Sequence, residues 1–205
     1  MSATQASCLL YFDDEEAPAL RLSQAAGLTA LAIARHRFPD GELKLTLPVD
    51  AAGQLPARAV LLRSLDQPNE KLIELLLAAR SARSLGVRQL TLVAPYLAYM
   101  RQDIAFHPGE AVSQRIVGPF LASLFDAVVT VDPHLHRIER LEQAIPVTQA
   151  VVLSGAGKHF SSGIDLMLLA QAGSPSGVDA VSGSTMTSKA VFEAMNDCLA
   201  QAALE

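Results

Sequence analysis

The chain has 205 residues, 50% hydrophobic and 18% charged, with a net charge of -5. That balance excludes a disordered chain, and two cysteines beside 12 glycines and 11 prolines exclude a disulfide scaffold or a collagenous repeat. The negative charge offers no footprint for nucleic acid or an anionic membrane, and no apolar run reaches the roughly 18 residues of a membrane span.

The first residues lack the basic start and long apolar core of a signal peptide. The expectation is a cytoplasmic chain in which Cys8 and Cys198 are free thiols. In chain order, Leu9–Phe12 is a short apolar strand and Glu15–Ala26 a helix, with Pro18 in its first turn. Ala30–Ala34 is a second strand. Leu43–Leu47 alternates apolar and polar residues as a half-buried strand does. Ala59–Arg63 is a buried strand. Asp66–Gly86 is a helix with Asp66 as its cap, Gly86 as its stop and Leu72, Ile73, Leu76, Leu77 and Ala79 at helical spacing. Gln89–Ala94 is a buried strand, Gly109–Leu124 a helix and Ala127–Val131 another buried strand. Short apolar runs separated by helices predict an α/β fold, a mostly parallel sheet with helices on both faces.

Ligands of such sheets sit outside the carboxyl ends of the strands. Two polar clusters fall there. Arg101-Gln102-Asp103 offers a guanidinium for phosphate and an amide for a base edge, or simply a solvated loop with a local ion pair. Asp132-Pro-His134-Leu-His136 offers a carboxylate for Mg²⁺, or an aspartate capping a following helix beside surface histidines. Zinc or iron is a weaker match, because histidines two apart share a face only in an extended segment. A third cluster, Phe38-Pro-Asp40-Gly41-Glu42, has strong turn chemistry. His36, His107 and His159 stand isolated.

Composition changes near residue 150. All 12 arginines precede it, and the only later cations are Lys158 and Lys189. Serine divides 8 and 8 between the first 150 residues and the last 55. Two parts are expected, 1–150 and a Gly/Ser-rich 151–205.

Five stretches together resemble the ribose-phosphate diphosphokinases: Arg37–Glu42, Asn69–Leu77, Pro95–Asp103, Pro108–Ser113 and Val131–His134. Those enzymes make phosphoribosyl diphosphate from Mg²⁺-ATP and ribose 5-phosphate. The resemblance covers about residues 9–150. It implies a phosphoribosyltransferase-like fold, a homo-oligomer, and ATP contacts from Phe38, Asp40, Gly41 and Glu42 of a neighbouring subunit. It also implies that Arg101 and Gln102 bind ATP directly, with Asp132 and His134 serving the nucleotide's Mg²⁺. The family's second half carries a loop with a catalytic lysine and arginine, and an Asp-Asp…Thr-Gly-Gly-Thr ribose-phosphate loop. Neither is found after residue 150, so no catalytic residue is assigned. The expectation is a truncated or chimeric chain, either an active diphosphokinase or a catalytically inactive ATP-binding and assembly module.

The tail resembles other families. Residues 150–167 are similar to a short crotonase segment, which implies an oxyanion-hole N–H at Ile164; a strand, a turn and a helix is the plainer reading. Residues 179–188, Asp-Ala-Val-Ser-Gly-Ser-Thr185-Met-Thr-Ser, are similar to the flavin-attachment motif of FMN-carrying redox subunits. This implies FMN on Thr185; the plainer reading is a capped helix beginning after Ser188.

Overall fold

The computed structural model describes residues 7–135 and 137–153. Residues 154–205 lie outside them, so Thr185, Ile164, His159, Cys198 and the tail helices receive no structural account; nor does His136.

A seven-stranded sheet forms the molecule's centre. In chain order its strands are β1 (Ser7–Phe12), β2 (Thr29–Arg37), β3 (Leu43–Thr46), β4 (Arg58–Leu62), β5 (Gln89–Ala94), β6 (Ala127–Val131) and β7 (Gln149–Leu153). They lie in the order β3-β2-β1-β4-β5-β6-β7. All neighbours are parallel except β3, which closes an antiparallel hairpin on β2 with Ala34 opposite Thr46. β7 continues the sheet across the composition change, with Ala127 opposite Gln149. The mostly parallel α/β architecture matches the sequence expectation.

Helices α1 (Glu16–Ala26), α2 (Pro68–Ser84) and α3 (Ser113–Ala122) follow β1, β4 and β5. Strand pleating sends alternate residues to opposite faces. Leu10, Phe12, Leu61, Leu92 and Val128 meet Leu75, Ala78, Ala79 and Ala82 of α2 and Leu121 of α3. Leu9, Tyr11, Val60, Leu62, Val93 and Val129 form the second core, with Ala19 and Leu22 of α1. Full burial of each leucine contributes about 1.5–3 kcal/mol. No described helix is long and apolar enough to cross a membrane.

Several local expectations are corrected. Asp66 does not cap α2: its carboxylate pairs with Lys71 at 2.7 Å, and Gln67 holds the cap position in a left-handed conformation with φ 49°. The buried side of α2 is Glu74, Leu75, Ala78, Ala79 and Ala82, whereas Ile73 is 49% exposed. Small alanines let this helix lie close to the sheet, and the charge partners of Glu74, described below, draw that face inward. α1 begins at Glu16, because Asp13–Glu15 forms a 3₁₀ turn. α3 begins at Ser113 rather than Gly109. The Glu110 carboxylate turns back to accept from the Phe106 N–H at 2.8 Å, which closes a turn with Gly109 at φ 89°. No helix starts at Asp132; the next described helical turn is Leu141–Gln143, behind Arg140. Gly86, at φ 102°, follows the end of α2 as expected.

Candidate functional site

The chain turns back between β1 and β4, the switch point where open α/β sheets ordinarily hold ligands. Here a ring of side chains occupies that crevice. Arg35 and Arg63 each bond one carboxylate oxygen of Glu74. Asp14 completes the ring, 2.7 Å from Arg63 and 3.5 Å from Arg35. Both guanidiniums lie over the Phe12 ring, at 5.7 and 4.7 Å. Glu15 adds contacts to the Ser64 N–H at 2.7 Å and to Arg63 at 3.2 Å. Glu74 is 0% exposed and Arg63 1%. Burial raises the Glu15 carboxyl pKa despite these donors. Burial also works against the charge on both arginines, but their carboxylate partners outweigh it and raise their pKa values. Linked in this way, the ring holds β1, β2, β4 and α2 together, although the buried Arg63 Nε has no hydrogen-bond partner among the described residues. A polar cavity of about 350 Å³ opens beside it, bounded by Arg35, Arg37, Gln67, Glu70 and Lys71.

All three predicted clusters lie on this same carboxyl edge. Phe38–Glu42 forms the turn between β2 and β3. The Phe38 N–H donates to the Glu42 carbonyl at 2.9 Å, and the Asp40 carboxylate accepts from the Glu42 N–H at 3.1 Å. Gly41 supplies the φ of 93° that this turn requires. Phe38 is exposed, edge-on to His36 at 4.9 Å.

Arg101 and Gln102 follow β5, and Asp132 and His134 follow the adjacent β6. Asp103 joins the two loops: its carboxylate, 5% exposed, receives Arg137 Nη1 at 2.9 Å on both oxygens. That contact holds the carboxyl below the usual range. The ion pair of this loop thus runs to Arg137, 34 residues away, and not to neighbouring Arg101. Arg101 and Asp132 are exposed, and Gln102 and His134 half-buried. Among the described residues, three non-glycine residues have positive φ: Gln67 after β4, Tyr99 after β5 and Asp132 after β6, at 49°, 61° and 42°. Each such conformation costs on the order of 1–3 kcal/mol and tends to mark a functional edge. Asp132 also precedes Pro133, where extended backbone is the norm.

The Phe38 turn is separate from this pair of loops. Between β2 and β5 lie β1 and β4, so three strand spacings, about 14 Å, intervene. Among the described residues no hydrogen bond or ion pair joins 38–42 to 101–102. The first turn of α2 bridges them indirectly: Glu70 pairs with Arg37, and Asn69 accepts from the Tyr99 hydroxyl. No local motif in the sequence marks this bridge, Arg137, or the ring of Arg35, Arg63 and Glu74. The two helix carboxylates did lie in one of the resembling stretches, Asn69–Leu77.

Among the described residues no group of three metal-ligating side chains is gathered. Asp103 is engaged by Arg137 and Glu110 by Phe106 and His107, whereas Asp132 is an exposed carboxylate directly at the end of β6. One carboxylate suits a Mg²⁺ that arrives on a triphosphate, because that ion keeps several waters and leans on substrate oxygens.

Comparison with known proteins divides the chain. Residues 8–124 match the family model for the N-terminal domain of ribose phosphate pyrophosphokinase. Residues 127–200 match the model for an FMN-binding domain. The chain is 36% identical over 115 residues to a ribose-phosphate pyrophosphokinase of Saccharolobus solfataricus, covering 55% of this chain and 38% of the relative. It is 36% identical over 126 residues to that of Halobacterium salinarum, covering 62% and 43%. It therefore spans about two fifths of the length of these relatives. The fold is similar to that of a phosphoribosylpyrophosphate synthetase from Mycobacterium smegmatis, with a TM-score of 0.62, 20% identity, and coverage of 73% of this chain and 48% of that one.

Proposed function

This chain belongs to the family of the N-terminal domain of ribose phosphate pyrophosphokinase, and from that membership we propose that it binds Mg²⁺-ATP on the carboxyl edge of β5 and β6 for transfer of diphosphate to ribose 5-phosphate, giving phosphoribosyl diphosphate. The observation that carries this reading is the paired loop. The Asp103–Arg137 pair ties the loop that carries Arg101 and Gln102 to the loop that carries Asp132 and His134, and the two loops follow adjacent strands. Phosphoryl transfer depends chiefly on positioning and on neutralising charge with cations. Arg101 supplies a bidentate donor for the phosphates, Gln102 an amide for the base, and Asp132 with His134 a polar seat for the nucleotide's Mg²⁺. The distance to the Phe38 turn supports a homo-oligomer in which Phe38, Asp40, Gly41 and Glu42 serve the ATP of a neighbouring copy.

The test is incubation of the chain with ATP, Mg²⁺ and ribose 5-phosphate, followed by chromatography for AMP. AMP release dependent on ribose 5-phosphate is expected from a diphosphokinase. Nucleotide binding without AMP release would instead make the chain an ATP-binding or assembly module.

A second reading concerns the segment from 151 onward, which we treat as a separate part of the chain. The match of residues 127–200 to an FMN-binding domain supports covalent FMN on Thr185. Co-expression with a flavin transferase should raise the intact mass by one FMN, and Thr185→Ala should abolish the rise. No mass change in the parent chain would end this reading.

A further inference from the structure

We infer that Glu110 is a specificity-positioning residue: with the Ile104 carbonyl it fixes the Gln102 amide so that its oxygen faces the bound purine, selecting a 6-amino base over a 6-oxo base. The inference rests on the nucleotide reading above and adds to it the part of the base that is read.

Gln102 Nε2 lies 2.9 Å from the Ile104 carbonyl oxygen and 3.4 Å from Glu110 Oε2. Both neighbours only accept, provided Glu110 is ionised. The amide can therefore stand only one way round, since reversal would set Oε1 against a carbonyl and a carboxylate. Glu110 meets the condition. The His107 ring nitrogen at 2.7 Å and the Phe106 N–H at 2.8 Å hold its carboxyl below the usual range. The main chain is fixed as well, because the Gln102 carbonyl accepts from the Gln114 N–H at 3.2 Å. Both Nε2 hydrogens are thus engaged, while Oε1 has no partner among the described residues.

What Gln102 presents to a ligand is an acceptor. Adenine offers an amino donor at its 6-position, whereas guanine and hypoxanthine offer a carbonyl. An acceptor that meets a carbonyl loses a hydrogen bond and leaves two oxygens facing one another. A site built to bond one group discriminates strongly against its replacement.

The experiment titrates Mg²⁺-ATP and Mg²⁺-ITP, which differ at the 6-position and in the N1 proton that accompanies the 6-oxo group, into the unaltered chain, Glu110→Ala and Glu110→Gln. The unaltered chain is expected to prefer ATP by about tenfold, the worth of one hydrogen bond of about 1.4 kcal/mol. Glu110→Ala should lower the ATP:ITP ratio severalfold, because reversal of the amide, which presents Nε2 to a carbonyl, is then opposed by the Ile104 carbonyl alone. Glu110→Gln should keep the ratio, because its amide oxygen still accepts from Phe106 and Gln102. A Glu110 that only braces the loop would weaken both nucleotides alike and leave the ratio unmoved, which overturns the inference. Equal affinity of the unaltered chain for ATP and ITP also overturns it while leaving the nucleotide site standing. Binding of neither removes the nucleotide reading and the inference with it.

Discussion

Glu74→Gln is expected to destabilise the fold by about 3 kcal/mol. Glu74 is 0% exposed, and each of its oxygens meets a guanidinium. The amide has the same shape but places an NH₂ against one of those donors and removes the negative charge shared by the buried Arg63 and the half-buried Arg35. Breaking a buried ion pair from one side costs about 3–5 kcal/mol. The lower end applies here, because Arg63 keeps Asp14 at 2.7 Å and Arg35 keeps Asp13 at 2.8 Å. For a domain of this size roughly 2–4 °C accompanies each kcal/mol, so Tm should fall by about 6–12 °C. Thermal unfolding followed by circular dichroism, at one pH and one protein concentration, reads this directly. A fall of less than about 2 °C would show that the ring at the β1/β4 switch point contributes little, and the reasoning from buried charge would fail.

Three further outcomes follow from the packing and the electrostatics. Gly118→Ala should cost more than about 3 kcal/mol or yield insoluble protein, because the added methyl would stand 1.8 Å from the Ala144 carbonyl oxygen; urea unfolding near the parent midpoint would contradict the close approach of α3 to residue 144. In a Cys198→Ser chain, Cys8, buried and with its thiol pushed up to about 11, should resist a thiol reagent at pH 8 until urea is added; immediate labelling of the native chain would contradict its burial. Asp103, held below its ordinary range by Arg137, contributes stability that is present above the unfolded carboxylate pKa of about 3.9 and lost as pH falls through the lower folded value. Arg137→Gln should therefore lower stability at pH 6 and flatten the decline toward pH 3, and an unchanged acid limb would count against the pairing.

Strands that repeat along one stretch of chain were legible in the sequence. β5 and β6 stand at the residues that their apolar runs predict, and Leu43–Leu47 alternates in burial as its pattern requires. The clusters on the carboxyl edge were legible too, because strand ends and polar loops are local features. Pairing across the fold was not. Asp103 meets Arg137 over 34 residues, and Glu74 meets Arg35 over 39. A helical wheel places Ile73 and Leu77 inward, but the bonds of Glu74 to two arginines turn that helix so that its alanines face the sheet. Helix starts also failed where a carboxylate found a better partner than the local backbone: Asp66 took Lys71, and Glu110 took Phe106 and His107.

The central claim is that the loops after β5 and β6 form a Mg²⁺-ATP site, and calorimetric titration of ATP tests it most directly. One saturable site is expected in the presence of Mg²⁺, lost with excess EDTA and weakened at least about tenfold by Arg101→Ala, the loss of a charge-assisted pair to phosphate. Absence of binding by the unaltered chain, or ATP affinity indifferent to both Mg²⁺ and Arg101, would contradict it.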